Sequence, residues 1–393
     1  MTIEGKKSPE NTAALIYGMI GGGQDAFIGD VHRKAIAMDG GAELKAGCFS
    51  TDFDNTLATG RMLGLEEDRL YKDYAEMIKA EAAREDPIDF VVIVTPNYTH
   101  FSMAEAALKA GIHVVCDKPL TTDSGQAKEL ARLAEEKNLL FGVTYTYTGY
   151  PMVKHIRDMI AAGKLGKIRF INAEYPQDWL AEPAEKTGQK QALWRSDPKK
   201  SGPSNCVGDI GSHIENMVSF LTGLKLKKLC ARLDTFVEGR VLDDNAVIMT
   251  EYNSSAKGLY WSSQIAVGHD NGLRVRIYGD RASVEWIQEY PNRCKLSYLD
   301  KPTEILSRGR DKLSEAGEYF SRIPAGHPEG YFEAFANIYR SFTTALSKIK
   351  SGEKPNPMDM EFPKVEEGVR GVEFIEKCVE SSKKGAVWVQ MSG

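Results

Sequence analysis

From residue 13 to residue 145 short apolar runs alternate with amphipathic stretches, and this alternation narrows the possible folds more than any other feature. AALIYGMI (13–20), ELKAGCF (43–49), DFVVIVT (89–95), HVVC (113–116) and LLFGVTY (139–145) are β-rich and nearly free of charge, as strands buried on both faces are. Between them, KDYAEMIKAEAAR (72–84), THFSMAEAALKAG (99–111) and SGQAKELARLAEEKN (124–138) carry helical spacing. Ala104, Ala107 and Leu108 share one apolar face, as do Leu130, Leu133 and Ala134, and Gly111 is placed to end its helix. The strand–helix–strand order predicts a doubly wound parallel sheet with right-handed crossovers over residues 1–147.

Beyond residue 147 the rhythm changes. A helix is expected at about 151–162, a strand at IRFINAEY (168–175) and a helix at about 209–221. The runs LKKLCARLDTFV, NAVIMTEY, AKGLYWSSQI, GLRVRIYG, ASVEWIQE and RCKLSYL then follow one another through turn residues. Direct succession predicts an antiparallel meander, with Trp261, Trp286 and Tyr298 giving one face bulk. Residues 301–326 read as polar loop, and helices at about 329–350 and 364–382 precede a terminal AVWVQ strand. Residues 148–393 are therefore expected to form an α+β domain with a large open, mainly antiparallel sheet. Such a face needs cover, which predicts contact with another subunit.

Composition sets wider bounds. The 50 Lys and Arg against 55 Asp and Glu give a net charge of −5, which argues against the basic face of a nucleic-acid binder. No apolar run reaches the ~20 residues of a membrane span, and the start of the sequence has no secretory leader pattern. The six cysteines lie far apart without a metal-ligand spacing, so reduced, mostly buried thiols in a cytoplasmic protein are expected, with no metal.

The excess of glycine, 36 residues, is densest at Gly21-Gly22-Gly23. The stretch from Gly18 to Gly29 follows the first strand and opens a helix, the setting of a dinucleotide-binding turn. Gly21 suits the tight turn and Gly23 the approach of backbone amides to a pyrophosphate, with Ala26, Phe27 and Ile28 at the opening of the helix. The spacing departs from G-x-G-x-x-G: either Ala26 takes the third, close-packing position or the loop is longer. At the tip of the second strand stand Ser50 and, two residues on, Asp52, with no adjacent basic side chain. An acidic group there favours NAD through the ribose hydroxyl; NADP is not excluded.

Thr95-Pro96-Asn97-Tyr98-Thr99-His100 and Cys116-Asp117-Lys118-Pro119 close two further strands at the ligand-binding edge of such a sheet. With the glycine turn and the later Asp209-x-x-x-His213, these motifs resemble the Gfo/Idh/MocA (glucose–fructose oxidoreductase / inositol dehydrogenase) family over nearly the whole chain, and within it most resemble the levoglucosan dehydrogenase-like branch. The family's usual E-K-P stands here as Asp117-Lys118-Pro119. The resemblance implies a Rossmann domain holding NAD(H), and reversible hydride transfer between the nicotinamide and a hydroxyl-bearing carbon of a sugar, anhydrosugar or cyclitol. It implies that Pro96, Asn97 and His100 belong to a cofactor-contacting loop beside Thr95 and Asp117; a cap on the next helix is the alternative reading of His100.

Asp209 and His213, four apart at a helix start, share one face. In the family, residues at this spacing join the lysine of the K-P motif beside the nicotinamide. The resemblance therefore implies His213 as general base or acid, Lys118 as the group that polarises the reacting oxygen, and Asp209 as the residue that orients His213 or holds a neighbouring hydroxyl. From the residues alone, Asp209 also reads as a helix cap and Lys118 as a solvated turn lysine. Tyr147, Tyr175, Gln177, Asp178, Trp179, Trp194 and Arg195 offer aromatic faces and polar groups suited to a sugar or polyol, or ordinary packing. His269, Asp270, Asn271 and His327 read as turn residues, with the edge of the pocket, in this or a neighbouring subunit, as the alternative. A redox-neutral glycosidase using bound NAD and a non-catalytic NAD-binding sensor are the rival functions.

Overall fold

A computed structural model of the chain describes residues 14–24, 26–310 and 312–392. Ala13, with which the first apolar run opens, and Asp25 of the glycine turn lie outside the described residues, as does the stretch 1–13 searched for a leader. The first sheet has five parallel strands in the order β2-β1-β3-β4-β5, formed by β1 (Leu15–Gly21), β2 (Ala42–Cys48), β3 (Phe90–Val94), β4 (His113–Cys116) and β5 (Phe141–Val143). Every residue of β3 is buried, as befits the central strand of a sheet covered on both sides. The helix Ser124–Glu136 starts where Asp123 accepts a hydrogen bond from the Gln126 amide at 3.0 Å. It buries Ala127, Leu130, Leu133 and Ala134. Gly111 follows the helix His100–Lys109 with φ +81, and the Ile112 amide returns to the Ala107 carbonyl at 3.0 Å.

The sequence pattern does not reveal the helix Phe53–Met62, whose buried residues are Thr56, Thr59 and Gly60 rather than an apolar stripe. Gly60 lies against Leu70 so closely that a Cβ would come within 2.3 Å of it. The stretch expected as loop at 301–326 contains a strand and the helix Glu315–Phe320, which buries Ala316, Gly317 and Phe320.

The second sheet has nine strands: β6 (Phe170–Pro176), β7 (Leu226–Asp234), β8 (Asn245–Tyr252), β9 (Lys257–Ser263), β10 (Arg274–Tyr278), β11 (Ala282–Ile287), β12 (Arg293–Tyr298), β13 (Glu304–Ser307) and β14 (Val389–Gln390). Their order is β13-β12-β11-β10-β6-β9-β8-β7-β14. The simple meander is thus corrected: β6 lies between β9 and β10, parallel to β9 and antiparallel to β10. The link from Ser263 to Arg274 is longer than the roughly two to five residues of a hairpin loop, and it crosses β6 instead of turning tightly. The aromatic residues are also divided. Trp286 lies opposite Val275 on the covered face, whereas Trp261 lies opposite Glu174 on the outer face.

The late helix Tyr331–Lys350 returns to the first sheet. Phe335, Tyr339, Phe342 and Leu346 share a core with Tyr17, Phe90, Val92 and Val94, and the Phe90 and Phe342 rings stand 5.3 Å apart edge to face. The helix Val365–Lys383 bridges the two sheets, with Val365 and Val372 in one core and Phe374, Ile375 and Cys378 in the other. All six cysteines are buried. Among the described residues no helix is long and apolar enough to cross a membrane.

Candidate active site

A cleft of about 1050 Å³ runs along the carboxyl ends of the parallel strands and on to the first residues beyond β5, β6 and β11 and to Asn271. One end is made mostly of backbone. Gly21 and Gly22 take φ +86 and +74, the left-handed region that glycine enters without steric cost. Gly22 faces Gly29 so closely that a Cβ on Gly29 would come within 2.4 Å of the Gly22 Cα. The close-packing role therefore falls to Gly29, and the longer loop is the correct reading rather than Ala26. A Cβ on Gly23 would meet Asn55 Oδ1 at 2.4 Å. The helix Phe27–Ala37 begins at Ala26 without a side-chain cap, whereas Asp52, Asp73 and Asp123 cap the helices that follow them. Among the described residues no side chain caps its first amides, and Ala26, Phe27 and Ile28 line the cleft there. An uncapped helix start behind a glycine turn fits a pyrophosphate.

Ser50 and Thr51 also line this end, but Asp52 does not; its carboxylate accepts from the Asp54 amide at 3.1 Å as a helix cap. Lys72 and Asp73, brought from a separate segment, line the cleft as well, and Lys72 Nζ lies 5.5 Å from the Phe53 ring, so the absence of a basic residue near Ser50 in sequence does not hold in space. Thr95, Pro96 and Asn97 line the middle of the cleft, and Asn97 Nδ2 donates to the Ser201 carbonyl at 3.1 Å. His100 lies behind it: its ring nitrogens contact the carbonyls of Pro119 and Thr95 at 3.0 and 2.8 Å. It ties two strand-end loops together instead of lining the cleft or capping a helix through its side chain.

The other end is made of side chains. Lys118 precedes a cis peptide to Pro119, and its own amide donates to Asp117 Oδ1 at 2.9 Å, which also accepts from the Thr144 hydroxyl at 2.6 Å. Lys118 Nζ donates to the Asp209 carbonyl and to Asp209 Oδ1 at 2.7 and 3.0 Å. An ammonium group has three donors, so one remains for a ligand oxygen. Asp209 sits in a π-helical turn, Val207–Gly211, that leads directly into the helix Ser212–Thr222 carrying His213; such turns are frequent at functional sites. Burial pushes the Asp209 carboxyl upward, but Arg195 and Lys118 outweigh it and hold the group well below the usual carboxylate range. Burial and, after it, Lys118 push His213 well below its ordinary value, with Asp209 opposing. The imidazole is neutral at neutral pH. Its ring is gripped edge-on by Tyr145 and Tyr147, with centroids at 5.6 and 4.7 Å.

A hydrogen-bond network forms the wall opposite. Asn271 Oδ1 accepts from the Tyr175 hydroxyl at 2.6 Å and from Gln177 Nε2 at 2.8 Å, and Asn271 Nδ2 donates to Gln288 Oε1 at 3.2 Å. Because Tyr175 spends its proton on Asn271, the Tyr147 hydroxyl in contact with it donates to Tyr175. The Tyr147 oxygen is left as an acceptor for a ligand hydroxyl. Arg195 stacks its guanidinium 4.3 Å from the Trp194 ring and places Nε 3.4 Å from Asp209 Oδ2.

Tyr147, Tyr175, Gln177, Trp194, Arg195, Asp209, His213 and Lys118 thus come together along the cleft. Asp178 and Trp179 stand behind it: Asp178 accepts from the Gly268 amide at 3.0 Å and Trp179 donates to Gln177 Oε1 at 3.0 Å. Asn271 lines the cleft of its own chain, while His269, Asp270 and His327 do not. Sequence reasoning passes over Gln288, Gln191 and Tyr331 entirely, since isolated glutamines and tyrosines on strand ends and helix starts carry no spacing signal.

Comparison with known proteins agrees with this geometry. Residues 15–145 match the oxidoreductase family with NAD-binding Rossmann fold, and residues 153–285 match the GFO/IDH/MocA C-terminal domain. An uncharacterised oxidoreductase of Bacillus subtilis is 36% identical over 380 residues, covering 96% of each chain. The crystal structure of an inositol dehydrogenase homologue from Azotobacter vinelandii complexed with NAD+ superposes with a TM-score of 0.92 at 38% identity, covering 96% of this chain and 97% of that one. A structure of an inositol dehydrogenase homologue from the same organism complexed with NADH and myo-inositol superposes with a TM-score of 0.90 at 37% identity. Levoglucosan dehydrogenase of Pseudarthrobacter phenanthrenivorans is 25% identical over 325 residues, 70% of this chain and 81% of its own, a more distant likeness than that to the inositol dehydrogenase homologue, which corrects the expected closeness to the levoglucosan branch. The chain belongs to the Gfo/Idh/MocA family of NAD(P)-binding oxidoreductases.

Proposed function

We propose that this protein is a cytoplasmic dehydrogenase that uses NAD(H) to oxidise, reversibly, a secondary hydroxyl of a cyclitol or sugar. The observation that carries the reading is the Lys118–Asp209–His213 cluster at one end of a cleft whose other end is an uncapped helix behind a glycine turn. The nicotinamide, when bound, supplies the redox chemistry by exchanging a hydride with the substrate carbon. Lys118 keeps its third N–H for the reacting oxygen and stabilises negative charge developing there. His213, neutral because it is buried, takes the hydroxyl proton and returns it in the reverse direction. Asp209 holds the lysine in place and favours the imidazolium that forms. The amide and phenol wall, from Tyr147 to Gln288, suits the vicinal hydroxyls of a neutral polyol, and the relative crystallised with myo-inositol supports that class.

NAD is favoured over NADP by the structures of the homologues with NAD+ and NADH. The outer face of the second sheet exposes Val247 and Met249, which supports assembly of a homodimer or homotetramer through it. The test is a panel of inositols, sugars and levoglucosan assayed with both cofactors, comparing the parent protein with His213→Ala. Accumulation of reduced cofactor with a polyol, lost roughly a hundredfold or more in the variant, is the expected result. Equal rates in the two proteins overturn the role of His213.

A further inference from the structure

We infer that Gln264, a fully buried residue just beyond β9, is a positioning residue for the reaction centre, acting through Asp209; the inference rests on the dehydrogenase reading above. A carboxylate has two oxygens, and in Asp209 they have separate tasks. Oδ1 meets Lys118 Nζ at 3.0 Å, while Oδ2 accepts from Gln264 Nε2 at 2.9 Å. Arg195 Nε, at 3.4 Å from Oδ2, has no hydrogen-bond partner of its own, so Gln264 makes the directional bond on that oxygen. A primary amide presents a donor on one side and an acceptor on the other, and the wrong orientation would set its oxygen against the carboxylate. The orientation here is fixed from behind: Asn205 Nδ2 donates to Gln264 Oε1 at 2.9 Å.

The support continues inward. The Asn205 amide donates to Asp243 Oδ1 at 3.0 Å, and Asp243 Oδ2 accepts from the Val207 amide and the Ser204 hydroxyl at 3.0 and 2.9 Å. Gln264 is itself pinned by its backbone, its amide donating to the Asp244 carbonyl at 2.9 Å and its carbonyl accepting from Leu180 at 3.0 Å. Gln264, Asn205 and Asp244 are each almost wholly shielded from solvent. Buried hydrogen-bonded chains of this kind restrict a group to one rotamer. Without the Gln264 donor, Oδ2 has only the looser Arg195 contact, and the carboxylate is free to rotate toward it and away from Lys118. The lysine then keeps the Asp209 carbonyl but loses the second of the two oxygens that together aim its remaining N–H at the substrate oxygen.

Two substitutions test this. Gln264→Leu removes the donor and keeps much of the volume; kcat should fall about tenfold to a hundredfold, with the KM for cofactor within twofold of the parent. Gln264→Glu keeps the shape but can donate only when protonated, among the charged groups Asp209, Lys118 and Arg195. The ratio of its activity to the parent's should therefore rise as pH is lowered, a dependence that loss of packing alone does not produce. The crystal structure of either variant provides a readout independent of turnover, with the Lys118 Nζ to Asp209 Oδ1 distance expected to lengthen beyond hydrogen bonding. If the parent oxidises no polyol, the dehydrogenase reading fails while the distance still decides the role of Gln264. A kcat within twofold of the parent, or an unchanged Lys118–Asp209 contact in the variants, overturns the inference.

Discussion

The two ends of the cleft are built by opposite means. At the proposed cofactor end the chain supplies backbone: two left-handed glycines, a Gly22–Gly29 contact with no room for a Cβ, and a helix whose first amides meet no side-chain cap among the described residues. At the reaction end it supplies side chains from segments far apart in sequence, with Lys118 after β4, Asp209 and His213 at a helix start, and Asn271 and Gln288 beyond strands of the second sheet. Backbone recognition is intolerant of added bulk and rests on no single charged side chain, whereas the other end depends on the charge and hydrogen bonding of particular side chains. Substitutions at the two ends should therefore fail differently.

The largest effect is expected at the reaction end. Lys118→Ala should lower kcat by roughly a hundredfold to a thousandfold, the scale of losing one donor to a developing oxyanion, while fluorescence titration finds NADH affinity within threefold of the parent. A matching loss of cofactor affinity would break the division between the two ends. Next comes a comparison of two buried histidines. His213 lies in the reaction centre, whereas His32, on the helix Phe27–Ala37, contacts the Tyr339 hydroxyl at 2.5 Å behind the cofactor end. Burial first, with Asp117 opposing and Arg33 adding to it, brings His32 down to about 4. A folded-state value below the unfolded ~6.5 means that the unfolded chain binds the proton first, so stability is full above pH ~6.5 and is lost as pH falls toward 4. For His32 the loss is roughly 3 kcal/mol. Denaturant titrations across that window should give a shallower slope for His32→Asn, whatever its absolute stability; an unchanged slope would remove His32 from the account.

At the cofactor end, Gly29→Ala should cost about 1–3 kcal/mol through overpacking and weaken NADH binding. The kcat at saturating cofactor should stay near the parent's, the reverse of Lys118→Ala. The smallest effect sharpens the boundary of that end. Asp52→Ala should cost about 1 kcal/mol in thermal or chemical unfolding, as loss of a helix cap does, and leave the NAD to NADP preference unchanged. A tenfold change in preference would return Asp52 to the ribose site.

These contrasts also explain what the sequence could reveal. The parallel sheet was legible because five charge-poor runs alternate with helices of 3.6 periodicity, and Ala104, Leu108, Leu130 and Leu133 are buried as their spacing predicts. The place of β6 inside the second sheet was not, because strand order depends on where a crossing link packs and not on local propensity. Nor was the return of the helix Tyr331–Lys350 to the first sheet, since its apolar face fits either domain equally well on paper. In the site, the glycine turn and the Lys118-Pro119 and Asp209–His213 spacings carry local signatures. Gln264, Asn271 and Gln288 act through single side chains whose partners are remote, and no spacing announces them. Asp52 misled because a carboxylate at a strand tip and a helix cap look alike until Asp54 is placed beside it.

The central claim is that the Lys118–Asp209–His213 cluster oxidises a polyol hydroxyl at the cofactor. The most direct measurement is the initial rate of NADH formation with myo-inositol and its stereoisomers, for the parent protein and His213→Ala at equal cofactor saturation. The account predicts turnover by the parent with at least one cyclitol or sugar and a loss of roughly a hundredfold to ten-thousandfold in the variant. Equal rates in the two proteins, or binding of NADH with no turnover of any polyol by the parent, would contradict it.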